Sequence, residues 1–198
     1  MTGIAQSLTP EILRAPIETR RLILRLPAVD DIPAISRLIN DPVIAHATGT
    51  IRYPYPPSSA WSWIAGIGKI GRKGAFHMPY LLTLRSNPRL FAGAAGVSIH
   101  PARPPEIGYW LGRDFRRKGY ASEAARALIS LVFEKSDADA VGAGARTVNP
   151  ASQHVLRSAG MRRVGVGRIR SLQLGRYVPV ILFRIERKDW EQRRTRRH

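Results

Sequence analysis

The sequence predicts an α+β fold, a mixed and mostly antiparallel sheet of about seven strands covered by about four helices. The first observation is the order of strand and helix patterns along the chain, β-αα-βββ-α-β-α-ββ, in which several strands follow one another directly. The second is size, because 198 residues that are 44% hydrophobic can bury a substantial core. We therefore expect one domain over residues 19–190, a loose leader at 1–18 and a basic tail at 191–198.

The N-terminal half predicts a strand, two helices and a hairpin. Alternating leucines indicate the first strand, and side chains that can cap a helix precede both helical patterns. Between the helices, residues 46–57 form a proline-rich loop. The expected elements are a strand at 19–26, a helix from Asp30 or Asp31 to about residue 39, a helix from Ser58 or Ser59 through Ala65, and strands at 79–85 and 90–99.

The C-terminal half alternates strands with two helices and closes with a pair of strands. Asn149 and Pro150 suit the cap and first position of the second helix. In the last strand, Pro179 favours an edge position or a bulge. The expected elements are a strand at 106–111, a helix from about Gly119 to Lys135, a strand at 140–148, a helix from Pro150 and strands at 161–169 and 177–185.

The stretch from Pro105 to Lys135 organises the chain. A strand rich in aromatic residues runs into the loop 116–121, which has three cations and a glycine, and this loop opens directly into a helix. Ser122 and Glu123 lie in the first turn, where a hydroxyl and a carboxylate favour the free N–H groups. Exposed N–H groups, a glycine and nearby cations form a receptacle for an anion such as a phosphate. A solvated basic turn that caps an ordinary helix is the alternative.

This stretch resembles the GNAT superfamily of N-acetyltransferases. Arg116-x-x-Gly119-x-Ala121, after the strand E-I-G-Y-W-L, is similar to the family's acetyl-CoA signature, Gln/Arg-x-x-Gly-x-Gly/Ala. The segment N-P-A-S-Q-H-V-L-R-S-A-G-M, from Asn149, is similar to its second motif. Within the superfamily, the residues of these motifs most resemble those of the branch of ribosomal-protein alanine and serine N-acetyltransferases. The resemblance covers about Thr19 to Trp190.

The resemblance implies acetyl-CoA as cosubstrate. The loop amides would hold the pyrophosphate, the preceding strand would pair with the pantetheine amides, and Asn149 would bind the pantetheine arm. Backbone N–H groups near Trp110 to Gly112 would polarise the acetyl carbonyl. The implied cosubstrate-binding residues are Trp110, Leu111, Gly112, Arg116, Arg117, Lys118, Gly119, Tyr120, Ala121, Ser122, Asn149 and Ser152.

The resemblance also implies two catalytic residues. Glu106, on the central strand, is the candidate general base, and its alternative is an ordinary ion pair with an arginine. Many family members protonate the leaving thiolate with a tyrosine seven residues after the motif asparagine, but that position is Leu156 here. Ser152 is the candidate donor instead. Asn149 and Ser152 could also be simple helix-cap residues.

Composition limits the other possibilities. The chain has no cysteine, so a thiol nucleophile and thiolate metal sites are excluded, and its five histidines lack ligand spacing, so we expect no metal. No G-x-S-x-G hydrolase motif is present. No apolar run approaches the roughly 20 residues of a membrane span, and no signal pattern opens the chain, so a cytoplasmic protein without membrane contact is expected.

The formal net charge of +18 predicts acidic partners. The acceptor would be a primary amine, either the N-terminus of a protein such as a ribosomal protein or a small molecule. The alternative function is a non-catalytic basic module of the same fold that binds RNA or the ribosome. Either a monomer or a homodimer is compatible with the sequence.

Overall fold

The computed structural model describes residues 8–195, apart from the side chain of Arg72. The strands are β1 (Ile17–Glu18), β2 (Leu22–Arg25), β3 (Phe76–Leu84), β4 (Asn87–His100), β5 (Arg103–Leu111), β6 (Ala140–Arg146), β7 (Arg162–Ser171) and β8 (Arg176–Glu186). The helices are α1 (Ile32–Ile39), α2 (Pro42–Ala47), α3 (Pro57–Ala65), α4 (Tyr120–Lys135), α5 (Pro150–Ser158) and α6 (Arg187–Thr195).

All eight strands form one sheet, in the order β1-β2-β3-β4-β5-β6-β8-β7. Only the contact between β5 and β6 is parallel among the described strand pairs, and the others are antiparallel. The predicted α+β fold with a mostly antiparallel sheet is therefore confirmed.

Helices pack on both faces of this sheet. The larger core cluster contains Leu128 of α4 and Leu156 of α5 together with Leu82 of β3. The second cluster contains Ile35 of α1 together with Leu81 of β3. Because neighbouring residues of a strand point to opposite faces, α4 and α5 cover one face and α1 to α3 the other.

The structure has eight strands and six α-helices in its described part, where about seven and about four were expected. One added helix is α2, in a segment that was expected to be irregular. Asp41 and Pro42 start this helix, since Asp41 Oδ1 accepts a hydrogen bond from the Val43 N–H at 2.8 Å and Pro42 takes the first position. A capping aspartate followed by a proline is typical of a helix N-terminus.

The expected loose leader at 1–18 is wrong for its described part, and residues 1–7 lie outside the described residues. Ile17–Glu18 pair with β2 as the short strand β1. Leu13 is completely buried, and its carbonyl accepts a hydrogen bond from the buried Tyr80 hydroxyl at 2.6 Å. The apolar side chains of this segment are too few and too irregularly spaced to show a pattern, but they pack against the core.

The expected basic tail at 191–198 also needs correction, because residues 191–195 belong to α6, while 196–198 lie outside the described residues. The ring centroids of Trp190 and of Phe133 in α4 lie 5.3 Å apart, with the rings tilted by 38°, and Trp190 Nε1 donates to Ser130 Oγ at 3.2 Å. Arg187 Nη1 donates to the Phe133 carbonyl at 2.9 Å. Thus α6 is held by packing and by hydrogen bonds to α4. The domain boundaries at 19–190 stay a prediction.

The position of Pro179 differs from the expectation of an edge strand or a bulge, because β8 lies between β6 and β7. Pro179 is one residue beyond the last rung with β6, which joins Arg146 and Val180. Its carbonyl still accepts from the Thr147 N–H at 3.3 Å, so the missing N–H of Pro179 falls at the end of the ladder with β6, where a proline is tolerated.

Substitution of Leu13 tests whether the segment before β1 belongs to the folded core. Leu13→Ala should lower the free energy of unfolding by about 2–5 kcal/mol, because it removes a fully buried side chain. Arg14→Ala, at the exposed neighbouring position, should change it by less than about 0.5 kcal/mol. Urea denaturation followed by circular dichroism measures both values, and equal effects would contradict the packing described.

Candidate active site

A cleft opens between β5 and β6. Glu106 and Gly142 form the one rung that joins these strands within the described part of the chain. Beyond it, residues 107–111 of β5 pair with β4 on one side, and β6 continues along β8. No further rung joins the two strands toward Leu111 among the described residues, so the sheet is open between them along five residues of β5, which is about 17 Å at about 3.3 Å per residue. This opening is called the cleft.

The start of α4 lies at the mouth of this cleft. Gly119 is the N-cap with φ of 79°, and no side chain caps the helix. A Cβ at this position would lie 3.1 Å from Arg21 Nη2 and would need a left-handed backbone. The first N–H groups of α4, on Tyr120, Ala121 and Ser122, have no partner within the helix and lie at the positive end of its dipole. The start of α4 therefore has the uncapped N–H groups that the predicted anion receptacle requires, and the binding of an anion there stays a prediction.

The cations of the loop have different roles. Arg116 Nη2 is 2.7 Å from Asp41 Oδ2, and its Nε donates to the Leu111 carbonyl at 3.1 Å, so this side chain shapes the loop. Arg117 and Lys118 are exposed. These two remain available to a ligand at the helix start.

Glu123 anchors the helix start to the N-terminal strands instead of capping it. Its Oε1 accepts from Thr19 Oγ1 at 2.7 Å and from the Arg21 N–H at 2.8 Å, and its Oε2 accepts from Arg21 Nε at 2.7 Å. Burial acts to raise the pKa of this carboxyl, but the hydrogen bonds from Thr19 and Arg21 outweigh it, so the pKa of Glu123 lies below its ordinary value. Arg21 Nη1 also donates to the Lys118 carbonyl at 2.9 Å, which fixes the loop.

The end of β5 is only partly free to bind a ligand. Trp110 packs against the second core cluster and Leu111 against the first, and both are half-buried. The Gly112 N–H donates to the Ala92 carbonyl at 2.9 Å, so it cannot also polarise an acetyl carbonyl. A Cβ on Gly112 would lie 2.3 Å from Leu38 Cδ1, so this glycine permits close packing.

Asn149 and Ser152 lie across the cleft from β5, at the start of α5. Asn149 Oδ1 accepts from the Ser152 N–H at 3.0 Å, so Asn149 caps the helix, which was the alternative for this residue. The Tyr109 hydroxyl on β5 donates to the Ser152 carbonyl at 3.1 Å and lies 3.0 Å from the Ser152 hydroxyl, where either oxygen can be the donor. Burial raises the pKa of Tyr109 to about 12, although the hydrogen bond with Ser152 acts to lower it. Leu156, one turn further along α5 than Ser152, is buried in the core.

Sequence reasoning missed Tyr109. The alternation of β5 places it on the same face as Ile107 and Leu111, which is the face that α4 and α5 cover. A tyrosine among aliphatic neighbours in a buried strand must find a partner for its hydroxyl, and that requirement was the available signal.

Glu106 stands at the closed end of the cleft, on the last shared rung. Its side chain is 45% exposed, and Oε1 lies 3.8 Å from Arg103 Nη1. Such an exposed pair is weak, so the carboxylate of Glu106 is accessible.

Four aromatic residues lie between positions 53 and 63, in the loop before α3 and in α3 itself. Tyr55 is buried and Trp63 packs on the second cluster, whereas Tyr53 and Trp61 are exposed.

Within residues 8–195, no group of three His, Cys, Asp or Glu side chains could hold a metal ion, and the expectation that no metal takes part stays untested. No helix in the same range is long and apolar enough to cross a membrane.

An open cleft between two strands, a bare helix start at its mouth and a carboxylate at its closed end together define a site for a long ligand that is anionic at one end. This is the class of site expected of an acyl-CoA-dependent transferase. A model of the acetyltransferase (GNAT) domain family matches residues 21–162. The chain therefore belongs to the GNAT acetyltransferase family, and the predicted family and enzyme class are confirmed.

Relatives and solved structures agree with this assignment. The "Putative ribosomal N-acetyltransferase YdaF" of Bacillus subtilis strain 168 is 29% identical over 99 residues, which are 48% of this chain and 54% of YdaF, so the match spans about half of that relative. The ribosomal L7/L12 α-N-protein acetyltransferase RimL, solved with coenzyme A, superposes with a TM-score of 0.73 at 21% identity over 87% of this chain and 98% of that one. RimJ of Mycobacterium smegmatis, solved with a CoA disulfide, gives 0.73 at 20% identity over 88% and 87%. At these identities the structures show a shared fold.

Replacement of Glu123 tests the anchor of the helix start. Glu123→Gln should lower the free energy of unfolding by about 2 kcal/mol at pH 7, because hydrogen bonds to a charged group are lost. A carboxyl whose pKa is lowered by folding stabilises the protein above its unfolded pKa of about 4.3 and loses that effect as the pH falls through the folded pKa. The difference between wild type and variant in urea denaturation should therefore shrink below about pH 4. Glu18→Gln, in an exposed ion pair, is the control and should have little effect at any pH.

Proposed function

We propose that this enzyme binds acetyl-CoA in the cleft between β5 and β6 and transfers the acetyl group directly to a primary amine in a ternary complex. The opening of the sheet between β5 and β6 after the Glu106–Gly142 rung is the observation that carries the proposal. The diphosphate would lie on the N–H groups that open α4, beside Arg117 and Lys118, where each charge-assisted hydrogen bond contributes about 1.5–3 kcal/mol. The pantetheine arm would follow β5 past Trp110 and Leu111 toward the closed end.

In this arrangement Glu106 is the general base. Its accessible carboxylate would take a proton from the attacking amine through a water molecule. At pH 7 an α-amino group of pKa about 7.7–8.0 costs only about 1–1.4 kcal/mol to deprotonate, whereas a lysine near 10.4 costs about 4.6 kcal/mol. One exposed carboxylate suits the deprotonation of an α-amine better than that of a lysine, which favours an α-amine as acceptor.

The chemical step forms one bond and breaks one. The amine nitrogen bonds to the acetyl carbon while the bond from that carbon to sulfur breaks, and the thiolate of CoA takes up a proton. We assign this proton to the Ser152 hydroxyl. The Tyr109 O–H then turns from the Ser152 carbonyl to the Ser152 hydroxyl oxygen, replaces the proton across their 3.0 Å contact and regains a proton from the solvent. Tyr109 holds this proton at neutral pH because its pKa lies near 12.

For the acceptor, we propose the N-terminal amine of a protein. RimL and YdaF are named as a ribosomal-protein and a ribosomal acetyltransferase, and the lower free energy needed to deprotonate an α-amine also favours a protein N-terminus over a lysine.

The alternative of a non-catalytic RNA- or ribosome-binding module gains no support from the family match or the fold neighbours. The cytoplasmic location and the choice between monomer and homodimer stay predictions.

The role of Glu106 can be measured directly. Glu106→Gln should lower kcat/KM about 100-fold at pH 7, because the amine loses its base, and this deficit should narrow above the amine pKa of about 8. Calorimetry should give an unchanged dissociation constant for acetyl-CoA, since Glu106 lies beyond the thioester. Glu134→Gln, at a carboxylate of similar exposure on α4, is the control and should retain full activity. Equal losses in both variants would contradict the assignment.

The Ser152–Tyr109 pair predicts a non-additive effect. Ser152→Ala and Tyr109→Phe should each lower kcat about 10-fold or more, and the double variant should be little worse than either, because both remove the same proton path. The backbone N–H of Ser152, not its hydroxyl, completes the cap of α5, so folding should be retained. His154→Ala, exposed on the same helix, is the control. Independent, multiplying losses measured by thiol release would exclude the path.

A further inference from the structure

The last strand of the sheet, β7, has a free edge. It is ten residues long and pairs only with β8 among the described strands. In an antiparallel pair, alternate residues direct their N–H and C=O groups away from the neighbour. Half of β7 therefore presents unpaired donors and acceptors, which are a template for a further strand.

This edge carries a concentrated positive charge. β7 has four arginines and no Asp or Glu, and β8 begins with another arginine. Of these five arginines, only Arg162 has a carboxylate within 4.0 Å in the described part of the chain, namely that of Glu186 at 3.4 Å. The arginines are Arg162, Arg163, Arg168, Arg170 and Arg176.

The side chains between the arginines suit a polypeptide better than RNA. Val164 and Val166 are 51% and 59% exposed, and Tyr177, opposite Arg170, is 65% exposed. Sheets that bind single-stranded RNA stack several aromatic residues on successive bases, whereas the described part of this edge offers only Tyr177. A second copy of the chain is also disfavoured, because two rows of arginine would repel each other.

The edge lies within reach of the cleft. Gly142 pairs with Arg184, and Arg184 pairs with Arg162, so Arg162 is level with the closed end of the cleft. A strand added to β7 would lie three spacings from β6, about 14 Å, which an extended chain crosses in about four or five residues. The hairpin of β7 and β8 also contacts the loop before α3, where the Leu172 N–H donates to the Gly49 carbonyl at 2.9 Å.

We propose that the free edge of β7 docks an extended acidic segment of the acceptor protein, which begins about six residues after the amine that is acetylated. Main-chain hydrogen bonds to β7 would give affinity, and pairing of Asp and Glu with Arg163, Arg168 and Arg170 would give specificity. Identification of the bound segment as part of the acceptor rests on the proposed function, whereas the docking surface itself does not.

Binding is measured by fluorescence anisotropy with labelled peptides whose Asp and Glu residues begin about six positions from the amine. The Arg168→Glu/Arg170→Glu variant should weaken binding by about 10-fold or more, and a matching Lys peptide should bind this variant better than wild type. Backbone N-methylation within the acidic segment should also weaken binding. The control, Arg14→Glu/Arg89→Glu, makes the same charge change at an exposed position before β1 and at one in β4, and should have little effect.

Two outcomes would overturn the proposal. Equal weakening by both double variants would mean that bulk charge alone attracts the peptide. Loss of single-stranded RNA binding by Arg168→Glu/Arg170→Glu, with no peptide binding by wild type, would mean a nucleic-acid surface.

Kinetics separate this proposal from the proposed function. With the acidic peptide as acceptor, the edge variant should raise KM about 10-fold and leave kcat unchanged, and acetylation of a small α-amine should not change. An unchanged KM for the acidic peptide would contradict a role of the edge in acceptor binding. A wild type that binds the peptide but acetylates no amine would contradict the proposed function and leave the docking surface standing.

Discussion

The separation of β5 from β6 is the constraint on which the rest of the structure depends. A parallel pair normally continues for several rungs, but here one rung is followed by an opening in the sheet. Each strand is held from its other side, β5 by β4 and β6 by β8, so the cleft does not close by a shift of either strand. Backbone groups consequently line the cleft, and α4 and α5 both begin beside it. A ligand that enters meets fixed donors and acceptors, with little reordering.

The start of α4 stays electrostatically favourable to an anion because the carboxylate of Glu123 points away from the cleft. In the first turn of α4, Glu123 would compete with an anionic ligand if it capped the helix. Thr19 and Arg21 bind it with three donors instead and draw it toward the N-terminal strands. The same arginine holds the Lys118 carbonyl, so the loop stays open. One ion pair thus leaves the helix amides free and fixes the backbone around Gly119.

Local patterns allowed the sequence to predict much of this site. The glycine at the start of α4, the helix that follows it and the cap at Asn149 depend on residues a few positions apart, and all were predicted. The contact of Tyr109 with Ser152 joins residues 43 positions apart, and that of Arg116 with Asp41 joins residues 75 apart. No local pattern specifies such pairs. Packing against α4 likewise determines α6, whose own sequence is almost entirely polar.

The charge of the chain bears on the nature of its acceptor. There are 32 Lys and Arg residues against 14 Asp and Glu. A nucleotide bound in the cleft as proposed would offset only the few cations beside the start of α4, such as Arg117 and Lys118. The arginines of β7 lie two strands away from β6, at the far edge of the sheet, and they face solvent. Like charges held together in one strand repel one another, so their arrangement costs stability unless a partner offsets it. A small amine carries no negative charge to do so, whereas a protein with an acidic segment does.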